Sequence, residues 1–393
     1  MGAVGLIGIA LSLSAWPFAL RRAHRNQSLL FVCLLILHIA SSIIYYLYVQ
    51  TAPADTRLYY YDFYQLRHFE FGFGTIFTVK LVQYLRSVAG GSYLDYFLLF
   101  QASGFWGIVI LLRSFDEVQA KLSLHFNRLI YLVLFLPGLH FWTSAIGKDA
   151  PLLFAVSLAV WSTMRRRRRV AYLCIALGVM VLFRPHIALV TAATYALAEL
   201  MEPGGSAARK AVLLSVFAVG IAVIAGTVQS TLQVDVTSAS SVGEFLERQQ
   251  SVGRQIAGTT AVVDAPFVVR LASLLFRPLF FDATGLFGVI ASTENLAYLF
   301  IIGVVVANWR RCLNLARRTF ALRFALIFAG FLAVLLSLVY YNVGLGARQK
   351  IMLVPPLFIV FSAVWSGRRD RRARNVIPIP VRWNALNDSH ASG

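Results

Sequence analysis

Charge is what this chain of 393 residues has least of: it occupies 13% of positions, and only 17 side chains are acidic. Soluble globular chains are about a quarter charged and about half apolar. Here 59% of residues are apolar and the mean hydropathy is +0.71, which excludes a soluble enzyme and a disordered chain. Cysteine is scarce as well. Cys33, Cys174 and Cys312 are odd in number and scattered, so they offer neither a disulfide framework nor a CxxC metal site. Also missing are the Gly-rich nucleotide loop, the HExxH zinc pair and the GxSxG elbow. Their absence argues against nucleotide-driven transport and metalloproteolysis. No internal repeat stands out.

Long apolar runs are what the chain has in quantity. A helix needs roughly 20 apolar residues to cross the hydrocarbon core. Eleven runs are candidates: 3–20, 28–49, 92–113, 129–146, 150–164, 170–183, 187–201, 211–228, 288–308, 324–343 and 351–367. They predict an all-α polytopic transmembrane bundle of about 11 spans. Residues 1–367 form one transmembrane domain with outer loops at 50–91 and 229–287, and 368–393 form a basic, disordered cytoplasmic tail. Several runs are short. The pairs 129–146/150–164 and 170–183/187–201 read as helices broken at GKD and RPH, which the bilayer tolerates only where protein or a water-filled cavity surrounds the break. The charges of the opening stretch follow its apolar run, so residues 3–20 read as a span and not as a signal peptide.

The net charge is +19, and its distribution gives the orientation. With the N-terminus periplasmic, most basic residues fall on cytoplasmic segments: Arg21, Arg22 and Arg25; Arg113, Lys121 and Arg128; Arg165 to Arg169; Arg209 and Lys210; Arg310 to Arg323; and the C-terminal arginines. This is the positive-inside asymmetry, and it accounts for the excess charge without nucleic acid. The run Arg165 to Arg169 reads as a topological anchor and not as a polyanion site.

Once the anchors are removed, the polar chemistry collects on the outer side. The loop QTAPADTRLYYYDFYQLRHFEFGFG (50–74) sets Asp55, Arg57, Asp62, Arg67, His68 and Glu70 among Tyr59 and other aromatics. It reads either as an interfacial aromatic belt or as a site in which a partly desolvated carboxylate acts as general base. Asp55 and Asp62 lie seven positions apart and would share one face of a helix. Lys148-Asp149 is costly to bury unless paired and used, and reads equally as a structural ion pair. Arg184-Pro185-His186 is either a site at a helix break or a hairpin turn with a snorkelling arginine. Arg348 and Lys350 run against the positive-inside trend. Arg277-Pro278 and Asp282 close an apolar segment (266–282) that reads as a re-entrant or interfacial helix. Glu244, Glu247, Arg248 and Arg254 read as the polar face of a surface helix. Arginine forks suit phosphate oxygens, so these cations beside a carboxylate point to a lipid-phosphate-linked substrate. The bilayer is the other partner.

At ADTRLYYYD, HFWTSAIGKD, LFRPH and NVGLGARQKIMLVPP the chain resembles bacterial GT-C-type glycosyltransferases and the related polysaccharide polymerases, over roughly residues 50–190 and 340–356. The resemblance implies a GT-C-like fold in the bacterial inner membrane. It also implies transfer of a sugar or growing glycan from a polyprenyl-phosphate carrier at the periplasmic face, beside other polysaccharide-assembly proteins. It assigns the base to Asp55, with Asp62 as rival, and the lipid-phosphate cations to Lys148, Arg184 and Arg348. Tyr59, Arg57, Asp149, His186, Arg277 and Lys350 join the expected substrate-binding set. The first loop has no clear DxD and no large soluble C-terminal domain is evident, so the need for a divalent cation stays open. The alternative from another class is a transporter or flippase of a lipid-linked glycan.

Overall fold

The computed structural model of the chain describes residues 1–20, 27–52, 54–122, 128–204, 207–232, 265–283, 285–339 and 343–375, with scattered positions between 238 and 251. Every regular element among them is helical. The first group is α1 (Ala3–Leu13), α2 (Trp16–Ala19), α3 (Gln27–Thr51), α4 (Asp55–Tyr61), α5 (Thr75–Ala89), α6 (Tyr93–Lys121), α7 (Pro137–Trp142), α8 (Asp149–Met164) and α9 (Val170–Phe183). The second is α10 (Pro185–Leu200), α11 (Ala207–Leu232), α12 (Phe267–Phe276), α13 (Gly285–Ala307), α14 (Trp309–Arg318), α15 (Phe320–Val339), α16 (Val343–Gln349) and α17 (Val354–Asn375). Short 3₁₀ turns occupy Leu66–His68, Arg128–Phe135 and Lys350–Leu353.

Among the described residues, five helical stretches are long and apolar enough to cross a membrane: α3, α6, α13, α15 and Val343–Ser366. The segments Ala3–Ala19, α8, α9, Lys210–Gly220 and α12 are apolar but shorter. The expected run 129–146 is not one helix. A 3₁₀ segment ends at Phe135 and Pro137 starts the six-residue α7; proline lacks the N–H that would continue the earlier segment. The breaks expected at GKD and RPH are real helix boundaries, since α8 starts at Asp149 and α10 at Pro185. The segment 50–91, expected as an outer loop, carries two helices of its own, α4 and α5. The described part of the tail is helical as far as Asn375, while 376–393 lies outside the described residues. The surface helix expected around Glu244 to Arg254 falls largely outside them too.

The centre of the bundle is α6, buried along almost its whole length. A capping box starts it: Ser92 Oγ accepts from Asp95 N at 3.3 Å, and Asp95 Oδ2 accepts from Ser92 N at 2.8 Å. Asp95 Oδ1 also accepts from Gly2 N at 2.6 Å, tying α1 to the same end. Further along, Gly104 and Gly107 bring α6 close to the backbone of its neighbours. A Cβ on Gly104 would stand 2.0 Å from the Thr143 carbonyl oxygen, and one on Gly107 2.8 Å from Phe154 N. Small residues at such crossings let helices approach where no hydrophobic force separates protein from lipid.

The outward faces remain apolar. Leu29, Ile36 and Leu47 on α3, Ile175 on α9 and Leu286 on α13 are all exposed, Ile36 to 63%. Helices that are apolar all round suit a lipid surround and not water. At one end of the bundle, aromatics from α3, α4, α6 and α7 form a second core, with Tyr45 stacked on Phe141 at 4.4 Å and Tyr59, Tyr60, Ala145 and Ile146 packed into it. That core is the floor of the polar site.

Candidate functional site

Four helix ends meet on this aromatic floor, each delivering a charged side chain. Asp55 is the first residue of α4, Asp149 the first of α8, Arg184 the junction of α9 and α10, and Arg348 lies near the end of α16. Asp149 sits where the positive end of the α8 dipole favours a carboxylate. Arg184 precedes a proline, which bars the α region, and its φ of −151° and ψ of 84° turn the chain.

Asp149 is the hub. Its Oδ1 accepts from Arg184 Nη2 at 3.0 Å, and its Oδ2 accepts from Arg348 Nε. Arg348 then reaches outward, its Nη1 donating to Asp55 Oδ2 at 2.8 Å. The two ends of this chain of charges differ in environment. The Asp149 side chain is 4% exposed and that of Arg184 9%, while Asp55 is 55% exposed. Lys148 completes the group and donates to Thr75 Oγ1 at 3.1 Å. Burial first, then the Arg184 charge, pulls the Lys148 ammonium down to about 8, although Asp149 pulls the other way. Three cations face two carboxylates, so the centre keeps one unneutralised positive charge.

The scaffold beneath is held as firmly. Tyr59 is buried, and burial raises its phenol above the ordinary value. Its ring lies against Gly147, where a Cβ would come within 3.2 Å of Tyr59 Cε2; the Gly147 φ of +152° is one that side chains seldom adopt. The last carbonyls of α4 are taken by α5: Gln83 Nε2 donates to Tyr60 O at 2.8 Å, and Arg86 Nη1 donates to the same oxygen at 2.5 Å. Below, His38 Nδ1 faces His140 Nδ1 at 3.1 Å, linking α3 to α7.

Most of the predicted residues converge. Asp55, Tyr59, Lys148, Asp149, Arg184 and Arg348 belong to one cluster, and His186 is within electrostatic reach of Arg184 and Lys148. Lys148 and Asp149 do not pair with each other within 4 Å among the described residues; the arginines take both Asp149 oxygens. Lys350 turns to a neighbouring buried group, donating to Asn295 Oδ1 and to the Arg277 carbonyl at 3.4 Å, within electrostatic reach of Glu294. The Arg277 side chain pairs with Asp282. Arg57 donates to the Gln50 carbonyl at 2.8 Å and so closes the α3–α4 turn.

Asp62 corrects the expectation of a shared helical face. α4 ends at Tyr61, and Asp62 adopts φ of 51°. Its carboxylate folds the following turn, accepting from Leu66 N at 2.6 Å and Arg67 N at 3.3 Å. Glu294 was missed in the sequence, although a carboxylate in the run GLFGVIASTENLAYLF is itself a signal. Its Oε2 accepts from Gly138 N at 2.8 Å.

A resident divalent cation does not fit this donor set. Asp149 has no free oxygen, Asp55 shares Arg348, and among the described residues no three His, Cys, Asp or Glu side chains gather at one point. No protein-family model, no curated protein and no solved structure matches the chain.

Proposed function

We propose that the chain is a polytopic, GT-C-like glycosyltransferase or polymerase of the bacterial inner membrane, transferring a sugar or glycan from a polyprenyl-phosphate donor at the periplasmic face. One observation carries the reading: an exposed carboxylate, Asp55, is bonded to the rim of a cationic centre built from Arg348, Arg184 and Lys148 on the buried Asp149. The arginine forks and the ammonium receive the donor's phosphate. An acceptor hydroxyl then gives its proton to Asp55 as its oxygen bonds to the anomeric carbon. The bond from that carbon to the phosphate oxygen breaks, and the lipid phosphate leaves as an anion stabilised by the cations already in place. Backside attack inverts the anomeric centre.

A second reading, movement of a lipid-linked glycan across the bilayer, draws on Glu294, Asn295 and Lys350, which carry polar groups into helices that otherwise look apolar. Purified chain in liposomes, supplied with a polyprenyl-phosphate-linked sugar and an acceptor glycan, separates the two. The enzyme forms glycosidic bonds and loses that ability in Asp55→Asn and Arg184→Ala, both of which still insert and accumulate. Translocation without bond formation supports the second reading. Bond formation at the native rate in both variants overturns the first.

A further inference from the structure

The arginine run after α8, read from the sequence as an anchor, divides into members with different partners. Arg169 is buried, forks onto Glu117 with bonds of 2.8 and 2.9 Å, and lies 3.5 Å over the Trp161 ring. Arg166 bonds Glu199 at 2.6 Å and Glu202 at 2.9 Å. Those two lock α6, α8 and α10 together. Arg167 and Arg168 are exposed and form no ion pair among the described residues, and Arg165 has only a 3.8 Å contact with Glu117.

Arg165 to Arg168, but not Arg169, stand around an open cavity of about 470 Å³, joined on its wall by Lys121 from the end of α6 and Arg318 from the end of α14. Neither of those two forms an ion pair among the described residues. The single carboxylate on the wall is Glu202, already shared between Arg166 and Arg323. Thr163, Met164 and Phe320 supply the less polar side, with the Arg166 guanidinium 4.4 Å over the Phe320 ring. Among the described residues this open concave surface is therefore lined by six cations and a single carboxylate, and that carboxylate is already paired. A topological anchor needs only charge on an exposed segment; it needs neither a cavity nor convergence from three helices.

We propose that this cavity binds a phosphate-bearing anion, the headgroup of an anionic phospholipid. Guanidinium forks match phosphate oxygens in pairs, and basic pockets between helices at the membrane surface hold acidic headgroups. The place agrees. α8 is 16 residues long, about 24 Å at 1.5 Å per residue, so the cavity and the Asp149 centre lie at opposite ends of one apolar helix. Its mouth is thus near the headgroup layer, with Met164 and Phe320 facing the start of an acyl chain. A free diphosphate shares this chemistry. The proposal does not depend on the catalytic reading of the outer site.

Native mass spectrometry of the full chain in detergent tests it, with phosphatidylglycerol, phosphatidylcholine and inorganic pyrophosphate added separately. Phosphatidylglycerol should stay bound at collision energies that strip phosphatidylcholine, and the triple variant Lys121→Ala/Arg167→Ala/Arg168→Ala should lower its retention about tenfold. Arg310→Ala/Arg317→Ala, a loss of charge outside the cavity, should leave retention unchanged. Arg167→Lys/Arg168→Lys keeps the charge but removes the forks; it should weaken binding less than the triple variant and covers the case in which the latter fails to fold. Pyrophosphate bound by the native chain and lost in the variants, with no preference among lipids, makes a soluble phosphate the occupant. Equal retention of both lipids, with pyrophosphate binding the same in the native chain and in the cavity variants, overturns the proposal, as does phosphatidylglycerol binding unchanged in the lysine and alanine variants.

Discussion

Asp55 and Arg348 are separated by 293 positions of chain and meet at 2.8 Å. The same guanidinium binds Asp149 through Nε, so one side chain joins a buried carboxylate to an exposed one. The two acids consequently have different tasks, and substitutions should separate them.

Among the described residues, Asp149→Asn removes the only carboxylate bound to Arg184 and one of two bound to Arg348, in a place from which water is largely excluded. Breaking a buried pair costs roughly 3–5 kcal/mol, and thermal unfolding in detergent should show a large loss. Asp55→Asn acts on an exposed carboxylate, where such pairs contribute about 0–1 kcal/mol. Its unfolding temperature should stay near native while transfer activity disappears.

Asp62→Asn should retain most activity. The Asp62 oxygens accept backbone N–H groups of the next turn, and an amide keeps one of those acceptors. A transfer assay beside Asp55→Asn checks this; equal losses in the two variants would return Asp62 to the catalytic centre.

Lys148 gives the free protein a pH dependence. With its ammonium at about 8, it is charged below that pH and neutral above, so pyrophosphate binding at the Asp149 centre should weaken as pH rises through about 8. Its effect on stability has the opposite sign. The folded value lies below the ordinary 10.5, so between the two the unfolded chain holds more protons and folding gains with rising pH. Calorimetric titration across this range should show the fall in binding, and Lys148→Arg should flatten it.

Gly104→Ala should destabilise the bundle by roughly 1–3 kcal/mol, because the new methyl meets the Thr143 carbonyl instead of a side chain that can swing away. Gly178→Ala is the matched control. Nothing stands within 4 Å of a Cβ there, and replacing a helical glycine gains about 0.4–1 kcal/mol. Opposite shifts in unfolding temperature are expected.

The sequence was most legible where physics is local. The run 170–183 coincides with α9, and the breaks at GKD and RPH are helix ends, because apolar length and proline act on adjacent residues. Asp55, Asp149, Arg184 and Arg348 stand out in the sequence as charges at breaks between apolar runs, though only the tertiary structure could give the pairing. It assigned Asp149 to the arginines and not to Lys148 beside it. The misreadings have the same origin. Asp62 has the right spacing for a helical face, but a left-handed residue at that point ends the helix. Residues 129–146 have the composition of a span, yet a 3₁₀ stretch and Pro137 divide them. Glu294 was hidden by the apolar run around it.

The order of synthesis follows from the dispersal of the outer charges. Asp55 is made early, Asp149 and Arg184 follow, and Arg348 arrives only as the last long helix begins. Until then the two acids have no common cation and the centre is incomplete. A ribosome stalled before that helix would leave a chain in which Asp55 and Asp149 still lack the guanidinium they share.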